Sequence, residues 1–425
     1  MKNVKFIFLF AMAGLFTLSC THDDCDCDEP TPQESETQVP LKIASDSVLV
    51  AQGNAFAMKL FAVTNAQNPN DENLVISPLS LNMALAMVWN GAGGDTKTAI
   101  QTAMGMDDYA PESVNDYFKT LREGLTATDA ENTQLALANS IWYQPEFPVK
   151  QPFIDLNMQY YNALVQQLDF SRADACDILN AWCSDNTNGL IDDMFQPPIQ
   201  EDVVMYLINA LYFKSVWADS LAFDPEKTFD TYFYPNGYQQ EHISVKMMHQ
   251  TNDFQYFEDE TLQLLTIPYG NGAFTMSFLL PKANVSFTEM LTALNAPNYW
   301  NNCLNSRYLR ENYDVYIPKF KVRYDTGTKL IPILTELGMG VAFSSSADFS
   351  GISEVPTCIS QVQQKTYIDV NEQGTEAAAV TVIGMVTTSV AHPQFYANRP
   401  FLFVIQEEST DAVLFMGKIN KPAYE

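Results

Sequence analysis

From residue 377 to residue 398 the chain carries no Asp, Glu, Lys or Arg, although 17% of its 425 residues are charged. This run follows Glu372-Gln373-Gly374-Thr375-Glu376, opens with Ala377, Ala378 and Ala379, and becomes a series of small and β-branched residues through Met385, Val386, Thr387, Thr388 and Ser389. Val, Thr, Ile and Met suit a strand and absence of charge suits burial, so the plain reading is a buried hairpin. The composition resists it, because a core strand needs bulk on its inward face and three alanines supply almost none. Free of proline until Pro393, the segment looks able to enter a crowded sheet but not to anchor one, and on this stretch alone the core strand stays the favoured reading.

The chain has 23 basic and 51 acidic residues, a net charge of -28. Such a surface repels phosphate backbones and argues against nucleic-acid binding. It would speed encounter with cationic partners in a salt-sensitive way. There is no G-x-S-x-G, H-E-x-x-H or Walker loop, and the four histidines (His22, His242, His249, His392) are scattered. An enzyme is therefore disfavoured, and no cofactor is called for.

Residues 1–19 read as an export leader, with Lys2 and Lys5 ahead of an apolar run at 6–18 that is too short to span a bilayer as a helix. Ser19-Cys20 resembles the lipobox of bacterial lipoproteins, in which the cysteine is lipidated and becomes the mature N-terminus; an ordinary leader with an incidental cysteine is the alternative. Lipidation at Cys20 would attach the chain to a membrane, as an exported lipoprotein of the outer membrane, cell surface or periplasm. Residues 20–44 are polar, acidic and proline-bearing, which predicts a disordered tether. Cys25-Asp26-Cys27 has no second ligand cluster nearby, so no metal site is expected.

No linker or repeat divides residues 45–425, which read as one domain. Helical periodicity marks 47–66, a short strand runs into Ser77-Pro78, and 81–89 continues as a helix apolar all round and therefore buried. Residues 138–143 and 205–217 read as strands, and 179–195 as a helix stopping at Asn188-Gly189. Two apolar strands flank Gly270-Asn271-Gly272, 316–325 alternates as a strand, 328–339 is helical despite Pro332, and 399–405 and 413–422 are buried strands. The fold class is α+β.

Nine patterns in this order resemble the serpin family over residues 45–425: NLVISPLSL from Asn73, Thr187-Asn188-Gly189, LINALYFKSVW from Leu207, VKMM from Val245, IPKFK from Ile317, ADFSGIS from Ala347, VNEQGTEAAA from Val370, RPFLFVI from Arg399 and LFMGKINKP from Leu414. The resemblance implies three β-sheets, about nine helices and an exposed reactive-centre loop. It implies an inhibitor that acts as a suicide substrate: the protease nucleophile forms an ester with the residue before the scissile bond, and the cut loop enters the central sheet as a strand. Counted in steps of two from Thr375, the side chains turned inward would be Thr375, Ala377, Ala379 and Thr381, all small, with Glu376 outward and hydrated. A non-inhibitory relative acting as a binding or chaperone-like protein is the alternative, and the small hinge residues argue against it.

Family spacing makes Thr388 the scissile residue with Ser389 beyond the cut; counting back from Pro400 gives Ser389 itself. No Lys or Arg is near enough to fill an acidic specificity pocket. Elastase-like and subtilisin-like serine proteases are the expected targets, with Met385 offering a chymotrypsin-like site and Val386 a papain-like cysteine-protease site if cleavage follows Thr387. Ser77, Ser80 and Asn209 match the family's shutter and Trp217 the point where the loop begins to enter. Gln364 replaces the shutter histidine of many relatives, so gating by protonation there is in doubt. Ser77 and Ser80 also have a purely structural reading as helix-start polar groups, and Asn209 and Trp217 as packed strand residues. A monomer is expected, although an exposed strand of this kind could also insert into a neighbour's sheet.

Overall fold

The computed structural model describes residues 42–68, 72–129, 131–235, 241–375 and 394–424. The leader, most of the tether, Cys20, Glu376, Ala377, Ala378, Ala379, Met385, Val386, Thr387, Thr388 and Ser389 lie outside the described residues.

Nine α-helices are found among the described residues: α1 (Ser47–Ala66), α2 (Pro78–Trp89), α3 (Gly94–Ala103), α4 (Pro111–Ala127), α5 (Gln151–Tyr161), α6 (Ala175–Asn186), α7 (Phe287–Leu294), α8 (Tyr299–Asn305) and α9 (Leu330–Leu334). The strands are β1 (Leu74–Ile76), β2 (Thr133–Tyr143), β3 (Leu164–Gln167), β4 (Met205–Val216), β5 (Phe229–Phe233), β6 (Ile243–Glu258), β7 (Leu262–Tyr269), β8 (Phe274–Pro281), β9 (Tyr308–Pro318), β10 (Phe320–Asp325), β11 (Lys365–Asn371), β12 (Gly374–Thr375), β13 (Gln394–Tyr396), β14 (Phe401–Glu407) and β15 (Val413–Ile419). Six strands form one sheet in the order β10-β11-β12-β4-β2-β3. The other nine run β1-β15-β14-β8-β7-β6-β9-β13, with β5 also on β6.

The α+β class holds. Two of the three expected sheets are joined through β6, whose first part pairs β5 and β9 and whose end also pairs β7. A register shift between Asn252 and Phe254 bends the strand where one role passes to the other.

The helix expected to be apolar all round is α2, and eleven of its twelve residues are buried. Ser77 caps it, its hydroxyl accepting from the Ser80 backbone N–H, and Pro78 occupies the first turn where a missing N–H costs nothing. The apolar hairpin is β7–β8, with every residue of β8 buried. The Thr187-Asn188-Gly189 stop follows α6, with φ of 53° at Asn188 and 80° at Gly189.

The reading of 316–325 as one strand is corrected. Pro318 has no N–H to continue a ladder, and the chain crosses between sheets there: β9 ends in the nine-stranded sheet and β10 begins in the other. Lys319 stands between them, its backbone N–H donating to the Lys246 carbonyl at 2.8 Å. The helix around Pro332 is also shorter than expected. It opens after Leu334 into a π turn at Thr335–Met339, with Gly338 at φ 101°.

In the turn between β14 and β15, burial and the carboxylates of Glu408 and Glu407 push the Asp411 carboxyl up to about 6, against the pull of Arg307. A carboxyl raised above its unfolded value contributes stability below pH 4 and loses it as the pH rises through about 6. Asp411→Asn keeps a short polar side chain suited to the positive φ of 63° and removes the charge. The variant is expected to be more stable than its parent at pH 7.5, by on the order of 1 kcal/mol after solvent screening. Urea titrations at pH 7.5 and pH 4 check this, with the difference vanishing at the lower pH.

Candidate functional site

Among the described residues β4 and β11 are not paired directly; what joins them is β12, two residues long. Gly374 lies opposite Asn371 and Val216, and Thr375 opposite Val370 and Ser215. A side chain at Gly374 would be excluded: φ is 150°, and a Cβ there would sit 2.1 Å from the Ser215 carbonyl oxygen. Thr375 is buried with its hydroxyl 2.6 Å from that of Tyr269. Burial pushes the Tyr269 phenol far up, so it stays protonated.

Trp217 stacks on Tyr269 with ring centroids 4.5 Å apart and planes 8° from parallel. Its indole N–H donates to the Asn371 carbonyl at 3.0 Å and its backbone N–H to Gln373 at 2.8 Å. Trp217 therefore touches the root of the loop on both of its donors.

Glu372 was expected only as the start of the loop. In the structure it is buried, and its Oε2 lies 2.8 Å from the ammonium of Lys319, which is itself 6% exposed. The Thr228 hydroxyl donates to Oε1 at 2.8 Å, and the Glu372 carbonyl accepts from the Phe223 N–H. Lys319, Tyr269 and Thr228 were not foreseen. The one available signal was a lysine inside the apolar IPKFK stretch, placed where the chain changes sheets.

Lower in the same sheet, Gln364 leads into β11 and reaches the N-terminus of α2. Its Oε1 accepts from the Ser77 N–H at 2.9 Å, and its amide donates to the Ser77 carbonyl at 2.8 Å. The Ser77 hydroxyl donates to the Leu414 carbonyl. Ser80 hydrogen-bonds Asn209 of β4, whose amide donates to Asn139 of β2 at 2.6 Å. Ser77, Ser80, Asn209 and Gln364 are thus brought together, in two connected pairs.

A cavity of about 340 Å³ opens between the first residues of β4 and residues 355–364, floored by Leu81, Leu85 and Val88 of α2. Cys183 and Cys303 are buried, and desolvation pushes both thiols up to about 12, so they are packing residues. Among the described residues no group of His, Cys, Asp and Glu could hold a metal ion.

A family model for serpins (serine protease inhibitors) matches residues 51–422. The chain is 32% identical to an uncharacterized serpin-like protein of Methanosarcina acetivorans over the full length of both. It is 31% identical to human neuroserpin, covering 83% of this chain and 87% of that one. Among solved structures it is similar to the thermophilic serpin tengpin in its native state, at 29% identity, a TM-score of 0.77 and coverage of 90% and 96%. Human thyroxine-binding globulin complexed with thyroxine is similar at 26% identity, TM-score 0.77 and coverage of 89% and 99%. The chain belongs to the serpin family, whose members are in general protease inhibitors rather than catalysts.

Removing one partner of a buried ion pair strands the other charge, which costs roughly 3–5 kcal/mol. Glu372→Gln is expected to lower the unfolding free energy by about that amount, and Lys319→Met with Glu372→Leu together by much less. Equal losses in the single and double variants would refute the buried pair.

Proposed function

We propose that this serpin is a serine-protease inhibitor that traps its target covalently. The protease serine attacks the scissile carbonyl, the peptide bond breaks, the new amino terminus leaves, and the ester that remains is protected by insertion of the cut loop between β4 and β11. The observation that carries this reading is the slot itself, a sheet in which, among the described residues, only Gly374 and Thr375 stand between the two middle strands.

On insertion, the register of those two residues would continue downwards. Antiparallel to both neighbours, an inserted Thr381 would arrive opposite Asn209 and Gln364, and residues 381–386 would fill the cavity of about 340 Å³. The inward positions are Thr375, Ala377, Ala379 and Thr381, none of which carries charge or bulk. A strand of about fourteen residues at roughly 3.3 Å each is about 46 Å long, so a tethered protease is dragged a comparable distance. Distortion of its oxyanion hole stops hydrolysis of the ester, since one lost donor costs about 100- to 1000-fold.

Thr388 or Ser389 as scissile residue, after Val386-Thr387, suits elastase-like and subtilisin-like enzymes; papain-like cysteine proteases are the further class. Ser19-Cys20 supports a lipid-anchored, exported form, in the outer membrane, on the cell surface or in the periplasm. Detergent-phase partitioning that is lost in Cys20→Ala tests the anchor.

Mixed with elastase, the protein is expected to give a complex that survives denaturing electrophoresis, and mass spectrometry of the released C-terminal peptide reads the scissile bond. Cleavage of the loop with no complex would instead place the protein with non-inhibitory serpins such as thyroxine-binding globulin and ovalbumin. Thr375→Arg puts a charge where a hydroxyl now meets Tyr269, a cost of several kcal/mol, and is expected to lower the complex yield at least about tenfold while the loop is still cut. Undiminished inhibition by that variant would refute the insertion step.

A further inference from the structure

The Lys319–Glu372 pair has a third member that the family match does not reach. After β15 the chain turns along the free edge of β10, where the Lys321 N–H donates to the Ala423 carbonyl at 2.8 Å. Tyr424 follows, two residues past the last matched position. Its ring lies 4.2 Å from the Lys319 ammonium and 4.5 Å from that of Lys321. Its hydroxyl is hydrogen-bonded to Asn371 and Asp369 on β11. Lys321 in turn pairs with Asp369 at 3.3 Å. One aromatic side chain therefore bridges the lysine between β9 and β10 to the end of the strand from which the loop departs.

We infer that Tyr424 is a positioning residue for the hinge: it holds Lys319 against Glu372 and so fixes how far the loop is seated in the sheet before cleavage. Lys319 is nearly fully buried, and a buried ammonium with a single carboxylate is incompletely solvated. An aromatic face supplies the missing negative potential without a second full charge, and this works best where water is excluded. The hydroxyl meanwhile binds Asn371, whose carbonyl accepts the Trp217 indole N–H, so ring and hydroxyl hold the lysine and the strand end in one arrangement. Without the ring, Lys319 gains by turning towards solvent. Glu372 then loses its counter-ion, and the short pairing of Gly374 and Thr375 loses its support.

The inference deepens the inhibitory reading and rests on it only for its consequence. Its test reads the hinge directly, so an absent protease complex in the parent protein leaves the result interpretable. Amide hydrogen exchange is measured on the full chain for the peptide spanning 370–375, with the β7–β8 hairpin as internal reference. Tyr424→Leu, which keeps bulk and removes the aromatic face, is expected to raise hinge exchange about tenfold with the reference unchanged. Tyr424→Phe, which keeps the ring, should raise it less than threefold. In a Lys319→Met background Tyr424→Leu should add nothing. Unchanged exchange in Tyr424→Leu overturns the proposal. So does an equal rise with Lys319 absent, or a rise shared by the β7–β8 reference, since each marks general loosening.

Discussion

Among the described residues the strand Gly374–Thr375 is the one link between β4 and β11, which are not paired with each other. Below Thr375 the facing edges of β4 and β11 present backbone groups that no strand serves among the described residues. Buried and unmet, each would cost roughly 1–3 kcal/mol, which is the incentive for a sheet to close on itself. A cavity of about 340 Å³ is roomy enough for water to serve such groups meanwhile. Closure is resisted from the side. Gln364 is tied twice to the backbone of Ser77 beneath the sheet, and Asn209 is tied to Ser80 on the next turn of the same helix, so both strands are pinned to α2 rather than to each other. The polar residues under the slot act as spacers.

At the top of the slot the constraint is charge. Coulombic attraction between Lys319 and Glu372 is strong in a dry site, but so is the cost of stripping water from both, and the two nearly cancel. Such a pair adds little net stability compared with a well-packed apolar one. What it adds is position: a carboxylate that must meet one ammonium and one hydroxyl from Thr228 has a single arrangement, whereas a leucine would have several. The hinge glycine has the same character. Gly374 fits only because no Cβ competes with the Ser215 carbonyl, so the depth of β12 is fixed from two directions.

Local pattern made the separate elements legible. The 3.6-residue period over α1, the apolar girdle of α2 and the Gly-Asn-Gly turn each act within a few residues, and each appears where the sequence puts it. The family resemblance then placed Ser77, Ser80, Asn209, Gln364 and Trp217 beside the slot, which no periodicity could do. What stayed hidden was contact across distance. Lys319 looked like one exposed position in an alternating strand, because alternation says which face a side chain takes but not that the chain changes sheets at Pro318. Its partner is 53 positions away. Asn139, which continues the Ser80–Asn209 link, reads from the sequence only as part of a strand, since nothing in residues 138–143 marks one asparagine as a cross-strand acceptor.

An inserted loop would make ladder bonds to both β4 and β11. At roughly 0.5–1.5 kcal/mol each, over about fourteen residues, these rival the 5–15 kcal/mol that stabilises a typical protein. A gain of that size raises the question of what holds an uncut loop out, and the described ends supply the physical answer. Thr375 is seated in the six-stranded sheet, whereas Gln394–Tyr396 forms β13, paired in parallel with β9 of the other sheet. The described chain on either side of residues 376–393 thus lies in two different sheets, and full insertion of an intact chain would require stripping β13 from β9, where Phe395 is buried and Tyr396 packs edge-on against Tyr316. Cutting at the proposed Thr388 or Ser389 would separate those two anchors without disturbing either. On the proposed mechanism, cleavage would then be the step that removes the barrier, and the energy released afterwards would already be present in the uncut fold.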